Sequence, residues 1–251
     1  MTSDAPPPRP ADPTVLGDLV ARDRRTSAPA LRAEDAGRSY SYHDFVTTTY
    51  KAGNVLRYLG VRGGETVAVA SDPQPEPVLA FYGAAQLGAA TAFGPDPAGS
   101  ADAGDPPRAT LVGVDREPEF DLPPGRKLAI YGGPPERPAT THWEQEVWSE
   151  NPAVHPATVA ADDPALRADG RTYSHRELLE AAASAVESGE MEAGESVVVR
   201  DSLTRPGTVA AGLVAPILVG AVIVFPGPDT VGDVAVGGGP EERSVAPGDL
   251  F

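Results

Sequence analysis

Few side chains of this 251-residue chain could supply a catalytic base, a thiol nucleophile or a metal ligand. The chain has four histidines, two lysines and no cysteine. The spacing of the histidines contains no His-Glu-x-x-His zinc pair. No Gly-x-Ser-x-Gly elbow, Walker loop or dinucleotide-binding Gly-x-Gly-x-x-Gly is present either. We therefore predict no catalytic residue, no cofactor-binding residue and no metal ligand. The histidines that we expect to be structural are His43, His142, His155 and His175.

Lysines and carboxylates form no catalytic arrangement. Lys51 falls on a predicted helix and Lys127 opens a predicted strand, so neither lies in a phosphate-binding context. The formal charge is -16, and in so acidic a chain adjacent carboxylates such as Asp162 and Asp163 are expected on the solvated surface. The lack of surplus positive charge argues against nucleic acid as a partner.

The composition indicates the environment in which the chain works. Two lysines among 20 basic residues leave 18 arginines, and Asp and Glu number 36. Such a composition is typical of extreme halophiles, because at roughly 1 M salt the Debye length falls to about 3 Å and surface carboxylates repel weakly. Residues 1–13 are proline-rich and polar, so we expect a disordered tail, with neither a signal peptide nor an anchor. We expect a cytoplasmic protein.

One apolar stretch, Val209–Phe225, is nearly long enough to span a membrane. Gly212, Pro216 and Gly220 interrupt it, and its end is β-branched. A buried helix, a glycine stop and a buried strand explain this pattern better. We therefore predict no membrane contact.

The chain repeats itself at an offset near 130 residues, which indicates an internal duplication. Each copy predicts a hairpin, a helix, a strand, a helix and a strand, with parallel pairing. The fold class we predict is α/β, with two similar parallel-sheet subdomains packed face to face, at 14–150 and 151–230. The matched segments are Ala30–Ala33 with Ala165–Ala168, Gly37–Phe45 with Gly170–Leu178, Gly63–Ala70 with Ala193–Arg200, and Gly88-Ala89 with Gly220-Ala221.

The remaining segments receive simpler predictions. Residues 96–107 should form a surface loop, followed by strands at Ala109–Val114 and Lys127–Tyr131. Trp143 and Trp148 are expected to seal the two subdomains. Residues 231–251 should form a terminal hairpin that turns at 237–240.

At this point the residues resemble a known family, the adenylate-forming enzymes, which include acyl- and acetyl-CoA synthetases, luciferases and adenylation domains. The likeness covers roughly Leu16 to Pro226 and implies the first half of that family's large domain. The motifs that carry it are Gly37–Phe45, Leu59–Val69, Leu87–Ala89, the Ser174–Leu179 helix start and the Gly212–Phe225 return.

The departures from this family bear on function. Where the family has a Ser/Thr/Gly-rich phosphate loop ending in Pro-Lys-Gly, this chain has Asp162–Thr172, which contains Asp169 and no lysine. Forming an acyl-adenylate requires N–H donors and cations around the phosphates. The family's later nucleotide motifs and its C-terminal domain with a catalytic lysine would lie beyond Phe251. Gly237–Pro240 has a weak likeness to the family's glycine-rich adenine loop, but we favour a hairpin turn.

We therefore expect a truncated acyl-CoA synthetase-like protein that is a non-catalytic binding or partner module. The alternative is one half of a split acyl- or acetyl-CoA synthetase, an acid–thiol ligase whose nucleotide-handling part lies on another chain. Exposed apolar surface predicts a homodimer or a heteromeric protein partner. The sequence does not identify a small-molecule ligand.

Overall fold

The computed structural model describes residues 4–97 and 106–251, so most of the loop expected at 96–107 lies outside the described residues. The predicted α/β fold with two mostly parallel sheets is confirmed. The strands are β1 (Pro29–Ala33), β2 (Arg38–Ser41), β3 (Thr66–Val69), β4 (Ala90–Phe93), β5 (Ala109–Gly113), β6 (Lys127–Tyr131), β7 (Thr141–His142), β8 (Pro164–Ala168), β9 (Arg171–Ser174), β10 (Ser196–Val199), β11 (Val222–Phe225), β12 (Val234–Val236) and β13 (Arg243–Val245). The helices are α1 (Tyr42–Tyr58), α2 (Pro75–Ala85), α3 (Trp143–Ser149), α4 (His175–Gly189), α5 (Pro206–Val209) and α6 (Ala215–Val219).

Serine caps begin the two longest helices, α1 and α4. The Ser41 hydroxyl accepts a hydrogen bond from the Asp44 N–H at 3.1 Å, and Ser174 accepts one from the Glu177 N–H at 3.2 Å. The Glu177 carboxylate in turn accepts from the Ser174 N–H at 2.8 Å. These bonds satisfy N–H groups that have no partner inside the helix. Each helix therefore begins directly after its hairpin.

The two sheets share one spatial strand order, except that the N sheet has the additional edge strand β7. The N sheet has seven strands in the order β7-β6-β5-β3-β4-β8-β9, and the C sheet has six in the order β13-β12-β10-β11-β1-β2. In each sheet one hairpin is antiparallel, and the other pairings are parallel. Parallel strands are buried on both faces, which explains the continuous apolar pattern of β3 and β10.

The hairpins are exchanged between the two halves of the chain. β1 pairs with β11 in the C sheet, and β8 pairs with β4 in the N sheet. The sequence repeat predicts that each hairpin pairs with the strands of its own copy. Periodicity indicates that a segment is a strand, but long-range contacts decide which edge it joins. The predicted boundary at residue 150 therefore follows the sequence repeat and does not follow the sheets.

The predicted C-terminal hairpin is wrong. β12 and β13 pair in parallel, with Val234 opposite Arg243 and Val236 opposite Val245. Alternating valines predict a strand but carry no information on its direction. Both strands extend the C sheet outward from β10, so residues 237–242 form a short crossover instead of a hairpin turn.

A single buried helical run covers residues 206–219, as the apolar pattern predicted. It contains a π-helical turn at Ala210–Val214 between α5 and α6. Pro216 has no N–H to donate to the preceding turn, and a π turn accommodates that loss. Gly220, with φ of 86°, ends the run, and β11 follows. Among the described residues, no helix is both long enough and apolar enough to cross a membrane.

The N-terminal segment differs from the disordered tail expected at residues 1–13. In the part that is described, Pro7 is buried, and the Arg24 guanidinium donates to the Pro8 carbonyl oxygen. Arg24 also donates to the carbonyl oxygen of Ile217 in α6. Residues 4–13 therefore lie against the second half of the chain.

Candidate functional site

The place of the expected phosphate loop is occupied by the shortest kind of hairpin turn. β8 and β9 are joined by Asp169 and Gly170, with φ angles of 52° and 71°, and both residues are exposed. Two left-handed residues in succession make a type I′ turn, which suits the twist of a hairpin. Ala168 pairs with Arg171 directly beneath the turn. A two-residue turn cannot supply the row of converging N–H groups that surrounds a phosphate.

Two arginines near this turn, Arg171 and Arg176, are already paired with carboxylates. Arg171 donates to Glu177, and its guanidinium lies 4.4 Å from the centre of the Tyr173 ring. The Arg176 Nε lies 2.9 Å from Asp162 Oδ1, and this contact holds the pKa of Asp162 below its ordinary value. Both arginines are thus occupied by carboxylates. Asp162 lies on the surface, as the sequence predicted.

A cleft between the carboxyl ends of the two sheets is the candidate functional site. Its volume is about 440 Å³, and both Leu203 and Phe225 are buried beside it. Ligands of α/β sheets bind at the carboxyl ends of the strands. The N sheet contributes residues after β3, and the C sheet contributes the ends of β10 and β11. The lining residues are Ser71, Pro73, Val199, Arg200, Asp201, Ser202, Leu203, Phe225 and Pro226.

The cleft contains no nucleophile beside a base. The Ser202 hydroxyl contacts the Thr204 hydroxyl at 2.9 Å, and Asp201 pairs with Arg205 at 3.0 Å. The cleft can therefore hold a small molecule by apolar contact and hydrogen bonding, but it has no base positioned to activate one of its serines. None of the histidines, lysines, tryptophans or aspartates considered for chemistry in the sequence lines it. The signal that could have found it is the adjacency of the strand ends of β3, β10 and β11.

A buried ion pair lies at one end of this cleft. Arg200 binds the Glu241 carboxylate through two nitrogens, with Nη2–Oε1 at 2.6 Å and Nε–Oε2 at 2.9 Å. The Glu241 side chain is fully buried, and the Gly232 N–H also donates to it. Hydrogen bonding from Arg200 lowers the pKa of Glu241. The pair is a charge-assisted, bidentate contact that the interior can accommodate.

The glycine-rich segment 237–240 leaves room for this ion pair because its glycines have no side chain. A Cβ on Gly239 would lie 2.2 Å from the Glu241 carboxylate and 2.5 Å from the Arg200 Nε. Glycine is therefore required at position 239 because side chains pack against its backbone. The space beside these glycines is filled by the chain's own Arg200 and Glu241.

His175 is a buried structural residue at the start of α4. Its Nδ1 accepts a hydrogen bond from the Leu16 N–H at 3.1 Å. Burial lowers its pKa to about 4, so the ring is neutral at ordinary pH and can act as an acceptor. This contact joins the N-terminal segment to the second half of the chain.

The other three histidines do not form a metal site within the described residues either. His155 is buried and its pKa is lowered by burial to about 4, whereas His43 is half exposed and contacts Asp44. His142 lies 3.5 Å from the carboxylate of Glu144. Within residues 4–97 and 106–251, no three side chains are arranged to hold a metal ion.

The two tryptophans have opposite environments. Trp143 is 1% exposed, whereas Trp148 is 86% exposed. The prediction that both seal the subdomains is therefore wrong for Trp148, because a seven-residue helix turns only one side toward the core. Lys51 lies on α1 and Lys127 begins β6, as predicted.

Comparison with known proteins shows which proteins share this architecture. The family model of the AMP-binding enzymes, described as AMP-binding enzyme, matches residues 20–94. The resemblance to the adenylate-forming enzymes is confirmed. The structure of the anthranilate CoA ligase AuaEII with anthranoyl-AMP matches 85% of this chain and 44% of its own, with a TM-score of 0.73 and 21% identity. No curated protein has a sequence that matches this chain.

Two further solved structures show the same adenylate-forming fold. A benzoate CoA ligase from Burkholderia xenovorans LB400 matches 88% of this chain and 49% of its own, with a TM-score of 0.72 and 19% identity. The N-terminal domain of FACL13 from Mycobacterium tuberculosis matches 86% of this chain and 58% of its own, with a TM-score of 0.70 and 17% identity. The chain thus spans about half the length of the ligases that it matches.

Proposed function

We propose that this chain is a non-catalytic binding or partner module built on the adenylate-forming fold. The observation that carries the proposal is the two-residue turn at Asp169 and Gly170. Acyl-adenylate formation places negative charge on a phosphate, and the enzyme must stabilise that charge with N–H donors, cations and magnesium. The residues present at this turn do not fit a triphosphate, since the neighbouring Arg171 and Arg176 are engaged by carboxylates.

The buried Arg200–Glu241 pair supports the same proposal. It fills the space beside Gly239, in the segment that has a weak likeness to the family's glycine-rich adenine loop. The cleft of about 440 Å³ remains, with apolar side chains and two serines on its wall. The module can therefore keep a small-molecule site after losing the parts that handle phosphate.

An ATP–pyrophosphate exchange assay tests this proposal. We expect the purified chain to show no exchange above the buffer rate with acetate, benzoate or longer acids, whereas an active CoA ligase assayed in parallel does. ATP should also leave the unfolding temperature unchanged, since a ligand at a hundred times its Kd would add about 2.7 kcal/mol of stability. Exchange that follows the concentration of the purified chain would refute the proposal.

The alternative is one half of a split acyl-CoA synthetase, and one observation favours it. The cleft is lined from both sheets, so this chain could hold the acyl group while another chain supplies the nucleotide-handling residues. A stoichiometric partner that carries a catalytic lysine domain should then co-purify from a high-salt lysate. Addition of that partner should restore exchange.

We also infer an internal duplication and a salt-rich cytoplasm as the working environment. β1 and β8 have the same five residues, Pro-Ala-Leu-Arg-Ala, and the two sheets share one strand order, which supports duplication. The charge of -16 supports the second inference. The unfolding temperature should rise as KCl increases from about 0.1 M to about 1 M, because screening shortens the range of carboxylate repulsion.

A further inference from the structure

The connector between α3 and β8 runs over the surface and is held by a buried histidine. We define the strap as residues 151–160, all of which the structure describes. The strap forms neither helix nor strand, and within it only His155 is buried, at 8% exposed. An apolar side chain would hold such a segment at lower cost, because a buried imidazole loses its hydrogen bonds to water. A histidine at the one buried position therefore points to a role that an apolar residue could not fill.

The buried ring lies where α1 crosses α2. His155 stacks on Tyr50, with ring centres 5.9 Å apart and 13° between the planes. A Cβ on Gly53 of α1 would lie 2.4 Å from His155 Nε2 and 3.0 Å from the Gly83 carbonyl oxygen of α2. The ring therefore occupies a space that exists because position 53 has no side chain. Among the described residues, neither nitrogen of the ring has a hydrogen-bond partner.

The other attachments of the strap to α1 and its surroundings are exposed. Asn54 Nδ2 donates to the Asn151 carbonyl oxygen at 2.8 Å, and Arg22 donates to the carbonyl oxygen of Pro152. Exposed hydrogen bonds add little to stability, because water can replace either partner. Residues 153, 154 and 156–158 are exposed. The buried ring is therefore the main contact that holds the middle of the strap.

The charge next to the ring has the wrong sign to stabilise an imidazolium. Burial, the larger cause, and the Arg57 guanidinium both lower the pKa of His155, to about 4. At His175, which is also buried, Asp163 and Asp18 instead oppose the effect of burial. The other titratable groups around the strap and Tyr50 are Asp18, Arg22, Asp23, Arg25, Lys51 and Glu150. At the crossing itself, α2 contributes the backbone of Gly83.

We propose that the strap is a latch released by acid, and that His155 is the group that opens it. Protonation would place a positive charge in a space that offers no hydrogen-bond acceptor and has a cation nearby, so the charged ring is stable only in water. The middle of the strap then leaves α1 with the ring, since two exposed hydrogen bonds remain to hold it. Opening uncovers Tyr50 and Gly53, a surface that the closed strap hides.

Acid should favour the open strap by a measurable factor. In the closed strap the pKa of His155 is about 4, against 6.5 as the reference value, so the open state binds more protons between these limits. The ratio of open to closed molecules should therefore rise as the pH falls from 6.5 to 4, by up to about 300-fold. Above pH 6.5 the ring is neutral in both states, and the strap stays closed.

Because the chain has no cysteine, a single introduced cysteine can carry a spin label. Val154→Cys places the label on the strap at a position that is 63% exposed, and Val231→Cys, at 65%, is the matched control before β12. The salt is held at about 1 M KCl, which screens the surface carboxylates at each pH. We expect the mobile fraction at position 154 to rise between pH 7.5 and pH 4. The label at position 231 and the far-ultraviolet circular dichroism should not change, because the opening is local.

Three variants test whether the imidazole is the latch. His155→Phe keeps an aromatic ring on Tyr50 without a titrating group, so the label at position 154 should stay immobile down to pH 4. Arg57→Gln leaves the imidazole in place and removes the nearby cation, which raises the pKa of His155 and should reduce the response to acid about twofold. His175→Asn should keep the full response, although it removes the other imidazole with a pKa of about 4.

Any of three results would overturn the proposal. The first is no gain in mobility at position 154 before the circular dichroism signal is lost, and the second is an equal gain in His155→Phe. The third is a response that disappears in His175→Asn. If phenylalanine is too large for the space and frees the strap at pH 7.5, Arg57→Gln decides, and an undiminished response there counts against the latch. The latch goes beyond the function proposed above, and no ATP or acid substrate enters this experiment, so its outcome is separate from that of the exchange assay.

Discussion

The two hairpins share a strand sequence but differ in their surroundings. β1 and β8 have the same five residues, and each shifts register after its proline. Arg38 begins β2 and reaches across to the buried Glu76 at the start of α2, which belongs to the N sheet. Arg171 begins β9 and pairs with the more exposed Glu177 on the helix that follows. The first hairpin is therefore joined by an ion pair to a helix beside the N sheet, whereas the ion pair of the second hairpin is local and more exposed.

The residues that begin the following helices show the same contrast. Tyr42 begins α1, is fully buried, and its hydroxyl donates to the Ala221 carbonyl oxygen at 2.7 Å. His175 begins α4, is equally buried, and accepts from the Leu16 N–H. Burial raises the pKa of Tyr42 and lowers the pKa of His175. Equivalent positions thus join the two halves by opposite chemistry: the similar sequences form similar strands and helices, while the contacts between the halves differ.

The largest expected effect comes from the first hairpin. Arg38→Ala should lower the free energy of unfolding by about 3 kcal/mol, because Glu76 would be left buried without a cation. Arg171→Ala should cost less than about 1 kcal/mol, because solvent screens its partner. Urea unfolding of both variants at one salt concentration measures the contrast. Equal losses would show that the two pairs are equivalent.

The pH dependence of the Arg38→Ala variant gives a second test. Burial raises the pKa of Glu76, and Arg38 opposes that shift. Without Arg38 the pKa of Glu76 should rise further, so the folded state holds a proton that the unfolded state releases. Stability is then lost as the pH rises, and the deficit of Arg38→Ala should be larger at pH 8 than near pH 5. A pH-independent deficit would contradict this account.

The second effect concerns His175. Its pKa is about 4 when folded, against 6.5 as the reference value, so the unfolded chain binds more protons between these limits. Stability should therefore fall as the pH is lowered from 6.5 to 4, by up to about 3 kcal/mol for this one group. His175→Asn keeps an acceptor for the Leu16 N–H without titrating, and its urea-unfolding curve should depend less on pH. Tyr42→Phe is the control, since it should leave that acid slope unchanged.

The smallest effect is expected at the second turn. Two glycines inserted between Asp169 and Gly170 make it as long as the turn at residues 34–37. The insertion should cost less than about 1 kcal/mol, since loop-closure entropy grows slowly with length. ATP should still leave the unfolding temperature unchanged, because length alone adds no cation. If ATP did stabilise the variant, turn length would be the only feature that excludes phosphate.

The sequence predicted the type and position of most helices and strands. Ser174 marked a helix start that the structure places at His175, because capping is a local hydrogen bond. β6 was placed at Lys127–Tyr131 because a short apolar run bounded by turn residues is also a local signal. The segment Asp162–Thr172, which contains no serine and no lysine, holds a two-residue turn at Asp169 and Gly170.

Only the tertiary structure decided what pairs with what. The exchange of hairpins, the parallel pairing of β12 with β13, the exposure of Trp148 and the Arg200–Glu241 pair all join residues distant in sequence or depend on which face meets the core. Hydrophobic periodicity fixes the type of an element because it depends on neighbours within a few residues. The partners of each element depend on which buried edges and faces remain open once the whole chain has folded, and no local pattern contains that information.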